Sequence, residues 1–386
     1  AHMADGFGRV SRKPGVCFAT SGPGATNILT GIATAQADSA PMIAVTGQVP
    51  VAMIGKDAFQ ESDIIGMANP VVKYAFQPRL PEDVPEAVRK GFYIAETGRP
   101  GPVLIDVPKD VQQNEAPMEF PEEFKIQGYH PWYDPDIVAC EKAIDMLLNS
   151  EKPIILAGGG TIISSAFAEL QSIAETLMLP VVTTFKGKGA FPENHPLSLG
   201  PIGMHGHAEA NKMMAEADCV LAIGTRFSDR SVGTFEAFEK RLKIIHMDVD
   251  PAEIGKNQTT SLAVVGDVRT SLRVMVKLLL QKSIKKNEES LWVKHVKETK
   301  AYWKENLKLH PGEMGAAKIL RKLRELLPKE SIVTTEVGQH QMWASLFYDV
   351  IQPGTFFSST GLGTMGWGFP ASIGAKVARP DVPVVD

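Results

Sequence analysis

The chain has 386 residues, of which 44% are apolar and 22% charged, and a formal net charge of -4 at pH 7. This length predicts two to four domains of roughly 100–200 residues each. The small, dispersed charge excludes the basic footprint of a nucleic-acid-binding protein. No apolar stretch approaches the roughly 20 residues that a membrane-spanning helix needs.

The first third of the chain alternates short apolar runs with helical patterns. We predict strands at 16–20, 42–46 and 103–107, and helices that include 28–37 and 81–97. This alternation is typical of βαβ units, which build a parallel sheet.

A linker and a second βαβ series follow. Residues 114–136 are rich in proline, glutamate and aromatic residues and show no period, which predicts a linker. Apolar runs then predict four strands and a short fifth, at 153–157, 180–184, 219–223, 243–249 and 263–265. The charged stretch 282–308 predicts a solvated helix between domains.

The last segment repeats the strand–glycine–helix layout of the first. We predict a strand at 331–335, a helix at 371–378 and the middle of a buried strand at 382–386. The chain also opens without an initiator Met, so we expect both ends to be cut from a longer protein. The fold class is α/β, with three doubly wound parallel-sheet domains, the first and third incomplete. Their bounds are 1–118, 141–283 and 311–386, with linkers at 119–140 and 284–310.

Two glycine-rich stretches carry the strongest chemical signal. We call residues 20–27 (TSGPGATN) the first glycine segment and residues 361–370 (GLGTMGWGFP) the second. Each leads into a predicted helix, and a glycine turn before a helix N-terminus is a natural seat for an anion or a cofactor. Two such seats with a complete α/β domain between them predict one cofactor shared by two domains.

In the middle segment, four predicted strands end in glycine or charged residues. Ligands bind outside the carboxyl ends of the strands in open parallel sheets. The relevant stretches are 158–160 (GGG), 184–189 (TFKGKG), 224–230 (GTRFSDR) and 248–251 (DVDP). Arginines there suit phosphate and acids suit ribose hydroxyls, so we predict a nucleotide-type ligand rather than ordinary turns. His205 and His207 are a weak metal signal, and a loop or cofactor-lining role is favoured.

The flanking segments add polar side chains at strand ends. Gln48 ends a predicted strand, and the loop 57–61 combines Phe, Gln and Glu, which can line a pocket. Residues 338–340 (GQH) would start a helix that can hold a phosphate. Met365 either fills a core or braces a flat ring. The three cysteines form no CxxC pair, which favours a reduced, cytoplasmic protein, with an organelle left open.

These motifs together resemble the thiamine diphosphate-dependent enzymes, and among them the acetohydroxyacid synthase (acetolactate synthase) catalytic subunits. The resemblance covers essentially the whole chain. The most specific stretches are 2–6, 20–27, 47–50, 57–63, 97–102, 186–206, 224–230, 248–257 and 361–374. It implies a pyrimidine-binding domain, a central FAD-binding domain and a diphosphate-binding domain, with the cofactor between the first domain of one subunit and the third of its partner.

The resemblance also assigns roles to individual residues. Those implied at the catalytic pocket are Gln48, Phe59 and Gln60. Those implied to bind thiamine diphosphate are Gly24, Gly338, Gln339, His340, Gly363 and Met365. Those implied to contact FAD are Arg99, Gly158, Gly159, His205, Gly224, Arg226, Arg230, Asp248, Asp250 and Asp267.

The implied reaction removes CO₂ from pyruvate and joins the remaining two-carbon unit to a second 2-oxoacid. Pyruvate would give acetolactate and 2-oxobutyrate would give acetohydroxybutyrate, in branched-chain amino-acid synthesis. The FAD has no net redox role in such enzymes. A homodimer or tetramer is implied, and a regulatory small subunit is left open.

Two family elements are expected outside this chain. The activating glutamate should precede Ala1, and the magnesium motif should follow Asp386, so no metal ligand is assigned here. We therefore expect this chain by itself to be inactive. Alternatives are pyruvate oxidase, glyoxylate carboligase, sulfoacetaldehyde acetyltransferase, oxalyl-CoA decarboxylase or a non-catalytic nucleotide-binding relative. Residues 48–50 and 57–61 favour acetohydroxyacid synthase.

Overall fold

The structure is a computed structural model that describes residues 1–117, 119–131, 134–232, 242–284, 290–309 and 311–386. The predicted domain border at 118 therefore lies outside the described residues. So do residues 132–133 and 285–289 and residue 310, which belong to the predicted linkers. None of the described helices has the length and apolar character that a membrane crossing requires.

Residues 1–113 form a parallel four-stranded sheet with helices around it. The strands are β1 (Gly15–Ala19), β2 (Met42–Gln48), β3 (Tyr74–Phe76) and β4 (Pro102–Pro108), in the order β1-β2-β4-β3. The helices are α1 (His2–Ser11), α2 (Pro23–Asn27), α3 (Leu29–Ala37), α4 (Ile64–Ala68), α5 (Asp83–Glu96) and α6 (Lys109–Gln113). The three predicted strands are confirmed, and the short β3 was not predicted.

The middle of the chain forms a six-stranded parallel sheet. Its strands are β5 (Pro153–Ala157), β6 (Val181–Thr183), β7 (Ser198–Pro201), β8 (Cys219–Ile223), β9 (Lys243–Asp248) and β10 (Leu262–Val265). The helices are α7 (Ile137–Leu148), α8 (Gly159–Ile163), α9 (Phe167–Leu177), α10 (Ala208–Glu216), α11 (Asp229–Val232), α12 (Val268–Gln281) and α13 (Leu291–Asn306). All five predicted strands are present, and β7 was not predicted.

The last segment contributes a three-stranded sheet. Its helices are α14 (Pro311–Leu326), α15 (Gln339–Phe347) and α16 (Gly368–Ala378). Its strands are β11 (Ile332–Thr335), β12 (Phe356–Ser358) and β13 (Val384–Val385), in the order β12-β11-β13. The parallel sheets flanked by helices confirm the predicted α/β class.

The described chain divides into two compact units. Unit 1 comprises Ala1–Pro131, Ile332–Val337 and Ser358–Asp386. Unit 2 comprises the described parts of Trp132–Ser331 together with Gly338–Phe357. The last segment is thus divided between the two units, and the division into three domains stays a prediction.

The central strands β4, β5 and β8 are buried on both faces, which explains their nearly continuous apolar runs in the sequence. In unit 1, Met42 and Ala44 of β2 belong to one core and Ile43 belongs to a second. In unit 2, α13 forms where the charged helix was predicted, but Trp292 and Val296 on one of its faces belong to the core. The Trp292 indole N–H also donates to the Pro153 carbonyl at 2.9 Å.

In unit 1, α1 and α16 pack with their backbones almost in contact. A Cβ added to Gly6 would lie 2.3 Å from the Ala371 carbonyl oxygen, and one added to Gly374 would lie 1.9 Å from the Met3 oxygen. Only glycine permits this approach, since real Cβ atoms do not come so close to a backbone atom.

We expect Gly374→Ala to lower the free energy of unfolding by about 1–3 kcal/mol, because the added methyl group has to push α1 away from α16. The control is Gly315→Ala in α14, where an added Cβ has nothing within 4 Å. That substitution should leave stability unchanged or raise it by up to about 1 kcal/mol. Urea denaturation followed by circular dichroism measures both, and equal stabilities would contradict the packing described here.

Candidate functional site

The first glycine segment lies against two other candidate regions of unit 1. Gly22 has φ 58°, and a Cβ there would lie 2.7 Å from the Gln60 carbonyl oxygen. A Cβ on Gly47, at the end of β2, would lie 3.4 Å from the Ser21 nitrogen. The structure therefore brings together the first glycine segment, the end of β2 and the loop 57–61, as expected if they line one pocket.

Gln48 is buried and held by hydrogen bonds on every side. Its amide nitrogen donates to the Ser62 carbonyl at 2.9 Å and to an Asp106 carboxylate oxygen at 3.1 Å, and its oxygen accepts the Val49 N–H at 2.9 Å. The Asp106 carboxylate also accepts from Thr46 at 2.7 Å and from Gln77 at 2.8 Å. Burial raises the pKa of Asp106, against these hydrogen bonds. The Gln48 side chain is thus fixed in one orientation at the end of β2.

Phe59 and Gln60 project outward from a closed loop. The Glu61 carboxylate accepts the Gly55 N–H and, at 3.0 Å, the Ala58 N–H, which ties the two sides of the loop together. These backbone hydrogen bonds lower the pKa of Glu61. The Phe59 side chain is 89% exposed, so it is available to a ligand or to another surface.

The second glycine segment is anchored at both ends and open in its middle. Near its end, the Glu336 carboxylate accepts the N–H of Gly366 at 2.6 Å and of Phe369 at 3.0 Å. Gly363 and Gly366 have φ of 70° and 81°, and no atom lies within 4 Å of a Cβ built on either. Met365 is 79% exposed.

Three backbone amides of this segment make no hydrogen bond to another described residue. Within the described residues, the N–H groups of Leu362, Gly363 and Met365 donate to no protein acceptor. Left-handed glycines, free N–H groups and an exposed methionine form a shallow cradle for a ligand with acceptor atoms. The assignment of Gly363 and Met365 to a ligand stays a prediction. The segment also packs on α3, where a Cβ on Gly361 would lie 2.7 Å from the Ala37 oxygen.

Gly338, Gln339 and His340 start a helix, as predicted, and belong to unit 2. Gly338 is the N-cap of α15, and no side chain caps this end. Gln339 and His340 are exposed. The uncapped N–H groups at this helix start can donate hydrogen bonds to a negatively charged group.

The six-stranded sheet of unit 2 has the strand order β10-β9-β8-β5-β6-β7. Numbered within the sheet this is 6-5-4-1-2-3, so the order reverses between β5 and β8, and such a switch point is where doubly wound sheets bind nucleotides. The residues that follow β5 and β8 meet there. The Gly160 N–H donates to the Gly224 carbonyl at 2.9 Å, and a Cβ on Gly158 would lie 2.3 Å from the Gly224 oxygen.

Other predicted FAD neighbours surround this edge. A Cβ on Gly159 would lie 2.6 Å from the Lys186 side chain. Arg226 is half-buried and Arg230 is exposed, with one guanidinium N–H directed to the Met204 sulfur at 3.6 Å. His205 lies half-buried in the adjacent loop.

The acidic candidates have local structural roles. One oxygen of Asp248 accepts the Asp250 N–H at 2.9 Å, Asp250 accepts the Ala252 N–H at 3.0 Å, and Asp267 caps α12 through the Thr270 N–H at 2.9 Å. Arg99 belongs to unit 1, unlike the other FAD candidates, and donates to the Ser39 hydroxyl at 2.8 Å. The FAD assignments of these residues stay predictions.

Three family models match the chain in order. They are the thiamine pyrophosphate enzyme N-terminal TPP binding domain at residues 1–67, the central domain at 140–275 and the C-terminal TPP binding domain at 336–386. The probable acetolactate synthase large subunit of Methanocaldococcus jannaschii is 48% identical over all of this chain and 66% of its own length. That of Methanococcus aeolicus is 46% identical, over all of this chain and 67% of its own length.

The chain belongs to the acetolactate synthase large-subunit family of thiamine pyrophosphate enzymes. Acetolactate synthase isozyme 3 large subunit of Escherichia coli is 39% identical over all of this chain and 68% of its own length. The chain thus spans about two thirds of the length of these relatives. Thiamine pyrophosphate is thiamine diphosphate, so the family and its thiamine-binding domains confirm the predicted resemblance.

The sequence reasoning missed the residues that hold the predicted ones in place. They are Asp106, which accepts from Gln48, and Glu336, which accepts from Gly366 and Phe369. The others are Asp38, which accepts the Gly361 N–H, Asp5, which accepts the Trp367 indole N–H, and Arg9, which bridges these two carboxylates. Two signals were visible: Asp5 and Arg9 are four residues apart on a helix, which is the spacing of an ion pair. Asp106 is the one charged residue in an apolar run, where a carboxylate needs partners.

We expect Asp106→Ala to lower the free energy of unfolding by about 2 kcal/mol or more, because the buried donors of Thr46, Gln48 and Gln77 lose their acceptor. Asp106→Asn should stay within about 1 kcal/mol of the wild type. Its oxygen can serve both glutamine amides and its NH₂ can donate to the Thr46 hydroxyl. Urea denaturation at pH 7 distinguishes the two, and equal losses would contradict this network.

The surroundings of His207, beside the predicted His205, disfavour the protonated imidazole. Burial, together with the charges of Lys188 and Lys300, lowers the pKa of His207 from 6.5 to about 3. Glu209 lies 3.6 Å from the ring but does not offset these effects. The folded state therefore keeps the ring neutral while the unfolded state binds a proton below about pH 6.5.

We expect stability to fall as the pH falls from 6.5 to 4.5, and His207→Gln to reduce that slope by up to about 1.4 kcal/mol per pH unit. Urea denaturation at four pH values measures the slope. The control is His130→Gln, at an exposed position. A His207→Gln slope equal to that of the wild type would show that the ring is protonated in the folded state.

Proposed function

We propose that the protein catalyses the condensation of pyruvate with a second 2-oxoacid, pyruvate or 2-oxobutyrate, with loss of CO₂. The products would be acetolactate or acetohydroxybutyrate, in branched-chain amino-acid synthesis. The observation that carries this proposal is the identity of 39–48% over the whole chain to proteins named acetolactate synthase large subunits. The aligned region includes both glycine segments and the loop 57–61, since it covers all of this chain.

Thiamine diphosphate fits the described residues. When bound, it supplies a ring that accepts the electrons released by decarboxylation. The open amides of residues 362, 363 and 365 and the exposed Met365 offer it a backbone cradle. Separately, in unit 2, the uncapped start of α15 at Gly338, Gln339 and His340 suits a diphosphate group.

The first glycine segment, with Gly24, and the fixed side chain of Gln48 support a role in orienting the cofactor ring. Phe59 and Gln60 are exposed at the rim of this pocket, where they would contact the 2-oxoacid and exclude water. Mg²⁺ would accompany the diphosphate, since such groups bind protein through this ion. We assign it no ligand in this chain.

FAD is proposed at the carboxyl edge of the six-stranded sheet. Gly158, Gly160 and Gly224 pack backbone against backbone at the switch point, so they place no side chain where a ligand would bind. Helix α8 also starts there without a side-chain cap. Arg226 and Arg230 follow β8 and can pair with phosphate. We further propose a homodimer or tetramer in the cytoplasm, with a regulatory small subunit as a partner. The large-subunit names of the relatives support the last of these.

The test is an assay of the gene product as the cell makes it, with pyruvate, thiamine diphosphate, Mg²⁺ and FAD. We expect acetolactate to form, and acetohydroxybutyrate when 2-oxobutyrate is added. Met365→Ala should lower kcat/KM about 10- to 100-fold, because positioning of a bound reactant contributes on this scale.

The control is Leu280→Ala, since Leu280 is similarly exposed at 73% but lies on α12 of unit 2, whereas both glycine segments belong to unit 1. It should retain wild-type kinetics. Decarboxylation of pyruvate without formation of a new carbon–carbon bond would favour a relative such as pyruvate oxidase. Absence of any turnover with saturating cofactors would favour a non-catalytic relative.

A further inference from the structure

A buried cluster of three charged side chains lies between α1 and α3 in unit 1. Arg9 donates through Nε to one oxygen of Asp5 at 2.7 Å and through Nη2 to the other at 2.8 Å. The same Nη2 lies 3.0 Å from an oxygen of Asp38, at the end of α3. All three side chains are buried, so one guanidinium joins two carboxylates away from water.

This cluster forms hydrogen bonds to residues at both ends of the second glycine segment. Asp38 accepts the Thr360 N–H at 3.1 Å, the Thr360 hydroxyl at 2.8 Å and the Gly361 N–H at 3.0 Å. Asp5 accepts the Trp367 indole N–H at 2.6 Å. The two carboxylates therefore hold the chain on either side of the open stretch 362–366.

Arg9 also contacts the chain on both sides of this open stretch. Its Nη1 donates to the Ser358 carbonyl at 2.8 Å, and its guanidinium carbon lies 4.3 Å above the Trp367 ring. Burial disfavours the charge of Arg9, but the carboxylates of Asp5 and Asp38 outweigh that effect and raise the pKa of Arg9. The guanidinium and both carboxylates are thus buried and bonded to one another and to the chain around the second glycine segment, and such a network can specify one conformation.

We propose that Asp5, Arg9 and Asp38 are positioning residues that fix the second glycine segment in its ligand-binding conformation. The proposal rests on the proposed function, because the ligand is thiamine diphosphate. None of the three is proposed to touch the ligand; they act through Thr360, Gly361 and Trp367. Their role is to keep the free amides of 362, 363 and 365 aligned before the ligand arrives, which removes an ordering cost from binding.

The experiment uses the gene product as the cell makes it, without ligand and then with thiamine diphosphate and Mg²⁺. In hydrogen exchange without ligand, Asp38→Asn should speed exchange of the Thr360 and Gly361 amides about 10- to 100-fold, the range for a lost hydrogen bond to a charged group. The Kd for thiamine diphosphate should rise at least about 10-fold, with a smaller effect on kcat at saturating cofactor.

Thr360→Val is the second variant, because it removes one bond to Asp38 and keeps every charge. It should change exchange and Kd in the same direction by a smaller factor, and it tests the proposal if Asp38→Asn does not fold. The matched control is Asp136→Asn, which removes a carboxylate that accepts backbone N–H groups at the start of α7 in unit 2. It should leave both readouts of the second glycine segment unchanged.

Each outcome decides between the alternatives. If the Thr360 and Gly361 amides exchange at the wild-type rate in folded variants, Asp38 does not hold this segment in place and the proposal is overturned. Faster exchange with an unchanged Kd would show that the cluster only stabilises the fold and would overturn the positioning role. Failure of the wild type to bind thiamine diphosphate would instead overturn the proposed function.

Discussion

Unit 1 depends on a helix contact that leaves no room for side chains. Gly6 and Gly374 let the backbones of α1 and α16 touch, and this places Asp5 and Arg9 of α1 beside the chain that leads into α16. A larger residue at either glycine would separate the helices and pull the guanidinium from the Ser358 carbonyl and the indole from Asp5. The polar cluster therefore depends on the close contact of α1 with α16. The conformation of the second glycine segment depends in turn on that cluster.

The proposed ligand sites of the two units are shaped by different interactions. In unit 2, the switch point of the sheet is shaped by glycine against glycine, with the Gly160 N–H bonded to the Gly224 carbonyl. In unit 1, the second glycine segment is shaped by charged side chains from α1 and α3. The difference matches the ligands proposed for each: a sheet edge supplies a ready crevice for a nucleotide, whereas an isolated loop has to be held open by outside anchors.

Much of the fold could be predicted, because strands buried on both faces are continuous apolar runs. β5 and β8 have the predicted bounds, whereas β3 and β7 were missed because they are short and lie at sheet edges, where the apolar signal is weakest. The two glycine segments could also be recognised from the sequence, because each is a short run of consecutive glycine-rich residues. The Asp5–Arg9–Asp38 cluster was not, because its purpose depends on Ser358 and Trp367, and Arg9 and Ser358 are separated by 349 residues.

That separation has an energetic consequence. Closing a flexible loop of such length costs roughly 5 kcal/mol by the logarithmic scaling of loop entropy. A few exposed ion pairs, worth about 0–1 kcal/mol each, could not offset it. The buried contact of α1 with α16 and the charged hydrogen bonds around Arg9 can, since each buried bond to a charged group contributes about 1.5–3 kcal/mol. The cradle for the ligand therefore exists only once both ends of the chain have joined unit 1. Ligand binding and the completion of this unit are then coupled, because a ligand that binds only the joined state stabilises it.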